Sequence, residues 1–309
     1  MALTVFDERK NGMRTTLVIG LLLIVARPVL AERLQVVATY PYIASIVEQV
    51  GGSDVRVHAL AGGEWDPHTI LPKPSFIAKL RRANLLIING AQLEIGWLPP
   101  LMNQANNPRV NVGTSGLLDL STYVELIEVP TSVTRAQGDI HPDGNPHFYL
   151  DPHNIPLLSQ AIADRLAELD PRAATEYAKR NDEFTESWNR RLDEWGVALG
   201  GLRGAKVIEY HKNYDYLLRR YGMELLGTVE LLPGIPPTSG HIHELETKIE
   251  MTKVRYILQD VYNPADASEH LAKKYHIPML KLPHDVGAVR ETEGIFALFD
   301  EITRRLRND

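Results

Sequence analysis

Four short segments set a histidine or an aspartate in stiff surroundings: Trp65-Asp66-Pro67-His68, Gly144-Asn145-Pro146-His147-Phe148-Tyr149-Leu150-Asp151-Pro152-His153-Asn154, Glu209-Tyr210-His211-Lys212 and Leu282-Pro283-His284-Asp285. In the second, prolines before and after the histidine restrict the backbone on both sides, and two aromatics follow it directly. Three imidazoles and one carboxylate make a tetrahedral set suited to Zn²⁺. The expectation is that His68, His147, His211 and Asp285 converge on one metal ion. A lone histidine in a loop reads more readily as a surface residue; four such groups, three of them following predicted strands, favour the metal. Four protein ligands also leave no open coordination position, whereas catalytic zinc keeps one for water. No His-Glu-x-x-His pattern is present. Binding is therefore expected rather than hydrolysis.

The elements that must position these residues alternate between strand-like and helical runs. Leu34–Thr39 and Val55–Leu60 read as strands around a helix at Tyr42–Val50 stopped by Gly51-Gly52. A helix from Pro74 to Arg82, a buried-type strand at Leu85–Asn89, a helix near Trp97–Gln104 and a strand at Arg109–Val112 complete one lobe. The polar stretch from Arg135 to Gly144 breaks the rhythm and reads as a surface loop. After a helix at Ile155–Leu169, a helical pattern opens at Pro171 and runs to Gly200-Gly201, about 45 Å of rigid strut. The rhythm then resumes, with strands at Lys206–Tyr210, Glu224–Leu231, Arg255–Gln259 and Met279–Leu282 and helices between them. A helix at Thr292–Leu306 closes the chain. The expected class is α/β: two lobes with parallel, doubly wound sheets, spanning residues 32–170 and 201–309, joined by one long helix at 171–200. Ligands of open α/β sheets lie beyond the carboxyl ends of the strands, which places the metal in the cleft between lobes.

Composition agrees with a globular chain: 309 residues, 44% hydrophobic and 23% charged. A formal net charge of -6 gives no electrostatic footprint for nucleic acid. Residues 1–31 carry Arg14, an apolar run at Thr16–Ala26 too short to span a bilayer, and the small-residue ending Val29-Leu30-Ala31. They read as a cleavable secretory signal, with Met13 an alternative start. Cysteine is absent, so neither disulfides nor a cysteine-linked lipid are expected, and the mature chain is placed free in the periplasm.

The motifs Gly63-Glu64-Trp65-Asp66-Pro67-His68, Asn145-Pro146-His147-Phe148-Tyr149-Leu150-Asp151-Pro152, Tyr210-His211 with Tyr216-Leu217, and Asp285 before Glu293-Gly294 resemble those of the zinc- and manganese-binding proteins of bacterial ABC importers, the cluster A-I solute-binding proteins. The resemblance covers essentially the whole mature chain in order, long helix included. It implies that His68 and His147 are ligands from the first lobe, and His211 and Asp285 from the second. It also favours Asp285 over the adjacent His284. Manganese-type members tend to carry a carboxylate where this chain has His211; imidazole favours Zn²⁺, while Mn²⁺ prefers oxygen. The implied function is capture of Zn(II) as transported ligand by a monomer and its delivery to an ABC permease in the inner membrane, with a periplasmic zinc chaperone as a further partner. A manganese-type binding protein, a secreted zinc-dependent hydrolase and an adhesin on the same fold are the alternatives. His141 reads as a solvated loop histidine, His241 and His243 as surface residues, His153 as starting the helix that follows it, and Glu209 and Glu230 as acceptors for a ligand's second ring nitrogen.

Overall fold

Strand β1 (Leu34–Ala38) is flanked in parallel by β2 (Val55–Ala59) and β3 (Leu85–Ile88), and β4 (Leu117–Asp119) extends the sheet beyond β3. The second sheet repeats that layout with β6 (Glu224–Thr228), β5 (Lys206–Glu209), β7 (Val254–Gln259) and β8 (Met279–Lys281), again all parallel. In each sheet the first strand in sequence sits between the second and third, so the chain leaves it toward one neighbour and returns to the other. That reversal opens a crevice beyond the strand ends. These observations come from a computed structural model describing residues 33–131, 141–232 and 234–307. The expected signal segment and residues 135–140 of the polar loop lie outside the described residues. Among the described residues no helix is long and apolar enough to cross a membrane.

Helix boundaries follow local chemistry. Helix α1 (Pro41–Gly51), α2 (Pro74–Arg82), α3 (Leu98–Ala105) and α4 (Ile155–Leu169) each carry proline in the first two positions, where its missing N–H costs nothing. The strut is α5 (Ala174–Leu199), 26 residues preceded by a 3-10 turn at Pro171–Ala173. Its rise is about 39 Å. Tyr177, Asn181, Phe184, Trp188, Trp195 and Leu199 form its buried stripe, and the helix packs on α1, α4 and the closing helix α9 (Ile295–Arg307). Trp188 is fully buried and donates from Nε1 to the Pro152 carbonyl at 2.8 Å, joining the strut to the segment that follows His147.

One continuous hydrophobic cluster runs through both sheets, from Val36, Leu86 and Phe148 through Trp188 to Val207, Leu258, Leu282 and Phe299. A smaller cluster lies on the other face of the second sheet, where α7 (Ser239–Met251) and α8 (Asp266–Tyr275) cover Ile208 and Ile257. Neighbouring residues of β5, Val207 and Ile208, thus enter different clusters, as alternation demands of a sheet buried on both faces. Both sheets and the long helix are as expected. One expected strand is not: Arg109–Val112 overlaps a 3-10 turn at Pro108–Val110, and the edge strand is β4, further on. Pro108 has no N–H to give a ladder, and Asn107 turns the chain by accepting from the Arg109 amide at 3.1 Å.

Candidate metal centre

His68 lies in the loop after β2, and its orientation is set by the aspartate two residues before it. Asp66 Oδ1 accepts the His68 backbone N–H at 3.0 Å and faces His68 Nδ1 at 2.9 Å, while Oδ2 accepts from the Thr69 hydroxyl at 2.9 Å. Burial alone would raise the Asp66 carboxyl, but the bonds and charge of His68, helped by Thr69, bring it down to about 2. With Nδ1 engaged, His68 Nε2 is buried without a hydrogen-bond partner. Burial keeps this imidazole neutral to lower pH than usual, against the opposing pull of Asp66.

His147 opens the 3-10 turn Phe148–Leu150 and is 1% exposed, with both ring nitrogens buried and unpartnered. Two such nitrogens left bare in the interior would each cost about 1–3 kcal/mol. Burial, with the neighbouring imidazoles of His68 and His211 adding, holds His147 well below the ordinary histidine range and therefore neutral. A neutral imidazole has the free lone pair a cation needs.

His211 follows β5 directly, and its Nδ1 is in close contact with Glu230 Oε1. Burial pulls its pKa down, but the hydrogen bond and charge of Glu230 outweigh it, so the net shift is upward. The three rings stand 4.9 Å (His68 to His211), 5.1 Å (His68 to His147) and 5.5 Å (His147 to His211) apart between centroids. One nitrogen from each lies within 4.8 Å of the others, the arrangement of a metal-binding group. Donor atoms around a tetrahedral zinc with bonds of 2.0–2.1 Å stand about 3.3 Å apart. Small side-chain movements therefore suffice to close the group on an ion.

Asp285 is not part of that group. Its carboxylate is 3% exposed, and Oδ1 accepts from the Tyr42 amide at 2.8 Å and the Val286 amide at 2.6 Å. Burial raises its pKa well above the carboxylate range despite those two bonds. His284 points elsewhere: its Nε2 lies 3.1 Å from the Trp65 carbonyl and its ring packs edge-on against Tyr262. Of the two glutamates expected behind a ligand, Glu230 meets His211, whereas Glu209 Oε2 accepts the Tyr214 amide at 2.9 Å. His153 precedes α4 by two residues, with Asn154 at its N-cap, and its amide donates to Asp151 Oδ1 at 2.9 Å. His243 is largely exposed, while His241 is half-buried, its Nε2 donating to the Thr228 carbonyl at 2.8 Å.

His141 differs from the expectation of a solvated loop residue. Its ring centroid is 5.4 Å from that of His68, its Nε2 is buried and unpartnered, and burial beside His68 and His211 lowers its pKa to about 3. Its polar loop setting gave no sign of this, because the approach of His141 to His68 is a long-range one that local residue types do not signal. The sequence reading also passed over Asp66, although Asp-Pro-His places a carboxylate where it can accept from the amide two residues on. Two cavities flank the cluster, of about 270 and 490 Å³. The first is lined by His141, His147 and His211, the second by Asp66, His68 and His211, and both reach Glu230.

The family model described as "Zinc-uptake complex component A periplasmic" matches residues 36–308, and the chain belongs to that family. The manganese ABC transporter substrate-binding lipoprotein PsaA of Streptococcus pneumoniae is 24% identical over 85% of this chain and 84% of its own. The zinc-binding lipoprotein AdcA of Streptococcus pneumoniae serotype 4 is 23% identical over 78% of this chain and 47% of its own length. A crystal structure of ZnuA superposes with a TM-score of 0.75 at 22% identity, covering 90% of this chain and 99% of that one. The chain is thus a metal-binding substrate-binding protein of an ABC transporter, a class that works with a membrane permease and its ATPase.

Proposed function

We propose that this chain captures Zn(II) as cargo on His68, His147 and His211, with Asp285 as fourth ligand, and delivers it to its ABC permease for zinc uptake. The observation that carries this reading is the convergence of three imidazoles within 4.8 Å of one another. Imidazole nitrogen suits zinc, while manganese favours oxygen donors, and the three residues that converge are all imidazoles. The relatives named above include one manganese and one zinc protein, so donor chemistry is the discriminating argument. Asp66 behind His68 and Glu230 behind His211 support it, because ligating imidazoles commonly give their second nitrogen to a carboxylate.

Asp285 would reach the ion with the oxygen opposite the one held by Tyr42 and Val286. His141 is the competing fourth donor, favoured by its unpartnered Nε2 beside the cluster. The apolar run at residues 16–26 behind Arg14 supports export, with capture in the periplasm. No catalytic turnover is part of this reading.

The test is competition between Zn²⁺ and Mn²⁺ for chelator-stripped protein, with stoichiometry counted. The expected result is one tight Zn²⁺ per chain, Mn²⁺ at least tenfold weaker, and loss of the tight site in His147→Ala. Tighter Mn²⁺ binding would overturn the choice of metal, and no tight site would overturn the ligand set. Asp285→Asn weakening Zn²⁺ more than His141→Ala supports Asp285 as the fourth donor; the reverse order transfers that role to His141.

A further inference from the structure

Asn145 stands two residues before His147, and each of its polar groups is engaged. Its backbone N–H donates to the Ile127 carbonyl at 2.9 Å, and its own carbonyl accepts from the Tyr216 hydroxyl at 2.7 Å. Side-chain Oδ1 accepts the His147 amide at 2.9 Å; Nδ2 donates to the Lys212 carbonyl at 3.0 Å and to Glu128 Oε2 at 3.3 Å. The residue is 8% exposed. A single carboxamide therefore grips the backbone of one candidate ligand and the backbone immediately after another, 67 residues apart in sequence at the Lys212 bond.

We infer that Asn145 is a positioning residue for the metal site, fixing the spacing between His147 and His211 by bridging the first-lobe segment that carries one to the second-lobe strand end that carries the other. This rests on the ligand reading proposed above. A carboxamide is the side chain that can accept toward His147 and donate toward Lys212 at the same time. Aspartate keeps the acceptor but sets a second oxygen against the Lys212 carbonyl, and alanine loses both. The remaining contacts reinforce the clasp from either side. Tyr216 Oη also accepts the Ile127 amide at 3.0 Å, and the Lys212 ammonium pairs with Glu128 at 2.5 Å. His147 gains no comparable support through its ring, whose nitrogens are both free of hydrogen bonds. Its placement depends on the backbone, and Asn145 holds that backbone, together with Asn89 Nδ2 on the Pro146 carbonyl at 3.1 Å.

The experiment compares Asn145→Ala, Asn145→Asp and Asn107→Ala in the full chain. Asn107 is the matched control: a buried carboxamide clasping the Leu80 and Ala83 carbonyls at 2.9 and 2.8 Å within the first lobe. Zinc affinity is read by chelator competition, the donor geometry by the visible absorption of bound Co²⁺, and stability by the Tm of the metal-free protein. Asn145→Ala is expected to weaken zinc about ten- to hundredfold, as loss of a ligand's supporting partner does, and to change the Co²⁺ band. Asn145→Asp should change the same band with a smaller affinity loss, and it carries the test if the alanine variant does not fold. Asn107→Ala should lower Tm and leave affinity and band unchanged. Wild-type affinity and spectrum in both Asn145 variants would overturn the inference, as would an equal affinity loss in Asn107→Ala. A wild-type chain that binds no zinc would instead refute the ligand reading on which this one rests.

Discussion

Replacing Glu230 by glutamine isolates the contribution of one charge behind the metal site. Glu230 is 6% exposed and contacts His211 Nδ1, leaving Nε2 for an ion. A hydrogen bond to a charged group contributes about 1.5–3 kcal/mol and a neutral one about 0.5–1.5. Glutamine keeps an acceptor but loses the charge, so the difference is roughly 1–1.5 kcal/mol, close to tenfold in affinity. The pH dependence gives the sharper test. Burial disfavours the imidazolium of His211, yet the bond and charge of Glu230 prevail and raise its pKa. An ion must displace that proton, so wild-type affinity falls as pH drops through the raised value. Without the carboxylate, His211 holds its proton less firmly and the variant meets this competition only at lower pH. Zinc titration by chelator competition at pH 8 and pH 6 should show a loss of about tenfold at the higher pH, shrinking at the lower one. Equal affinities at pH 8, or a deficit that widens on acidification, would refute the reasoning.

Two further outcomes follow from close contacts and burial elsewhere. A Cβ on Gly63 would stand 1.9 Å from the Val286 carbonyl oxygen. Gly63→Ala must therefore push the His68 loop from the Asp285 loop, lowering stability by roughly 1–3 kcal/mol and weakening zinc; denaturant unfolding and metal titration check both, and an unchanged pair would show that these loops tolerate separation. Glu94 is buried and accepts from Thr39 Oγ1 and the Asn89 and Gly90 amides, yet burial outweighs these bonds and raises its pKa from 4.5 to about 7. A raised carboxyl pKa means that the folded state binds more protons than the unfolded one between those two values, so this residue's contribution falls as pH climbs from 4.5 to about 7, by roughly 3 kcal/mol in all. Urea unfolding at pH 5 and pH 8 should show Glu94→Gln losing roughly 2.5 kcal/mol less than wild type, and parallel losses in the two proteins would contradict the assignment.

The sequence carried the strand–helix rhythm and three converging histidines because both rest on short-range signals. Prolines and glycines mark the ends of the elements, and His68 and His211 follow short strands rich in β-branched residues, Val55-Arg56-Val57 and Val207-Ile208. What it did not carry depends on distant backbone. Asp285 appears beside His284 in sequence with only the family resemblance to favour one over the other, whereas the fold gives Asp285 the amide of Tyr42, 243 residues away, and turns His284 to Trp65. His141 lies in a stretch of turn-forming residues that reads as solvent-facing, and only the course of the chain brings its ring to His68. The misplaced strand at Arg109–Val112 has a local cause, because Asn107-Pro108 reads as a turn and two valines two residues apart overrode it.

The hydrogen bonds around the cluster bear on how an ion could leave it. The two sheets share one continuous core, and α9, last in sequence, packs against α1 of the first lobe and against the connecting helix α5. Near the histidines, the segments of both lobes are joined at Tyr42 to Asp285, at Trp65 to His284 and at Asn145 to Lys212. Wholesale separation of the lobes would break these bonds and expose shared apolar surface together. Movement of side chains at the two flanking cavities breaks far less. His68 is held through its local turn by Asp66, and the competing donor His141 lies beside it, so the described support of this pair is short-range. His147 and His211 are held by Asn145 and Glu230. The geometry thus divides the cluster into a fixed pair and a more adjustable pair, and release through the adjustable pair leaves the core intact. An effect of Gly63→Ala on zinc larger than its effect on stability would fit that division, because the substitution displaces the His68 loop while leaving the Asn145 clasp in place.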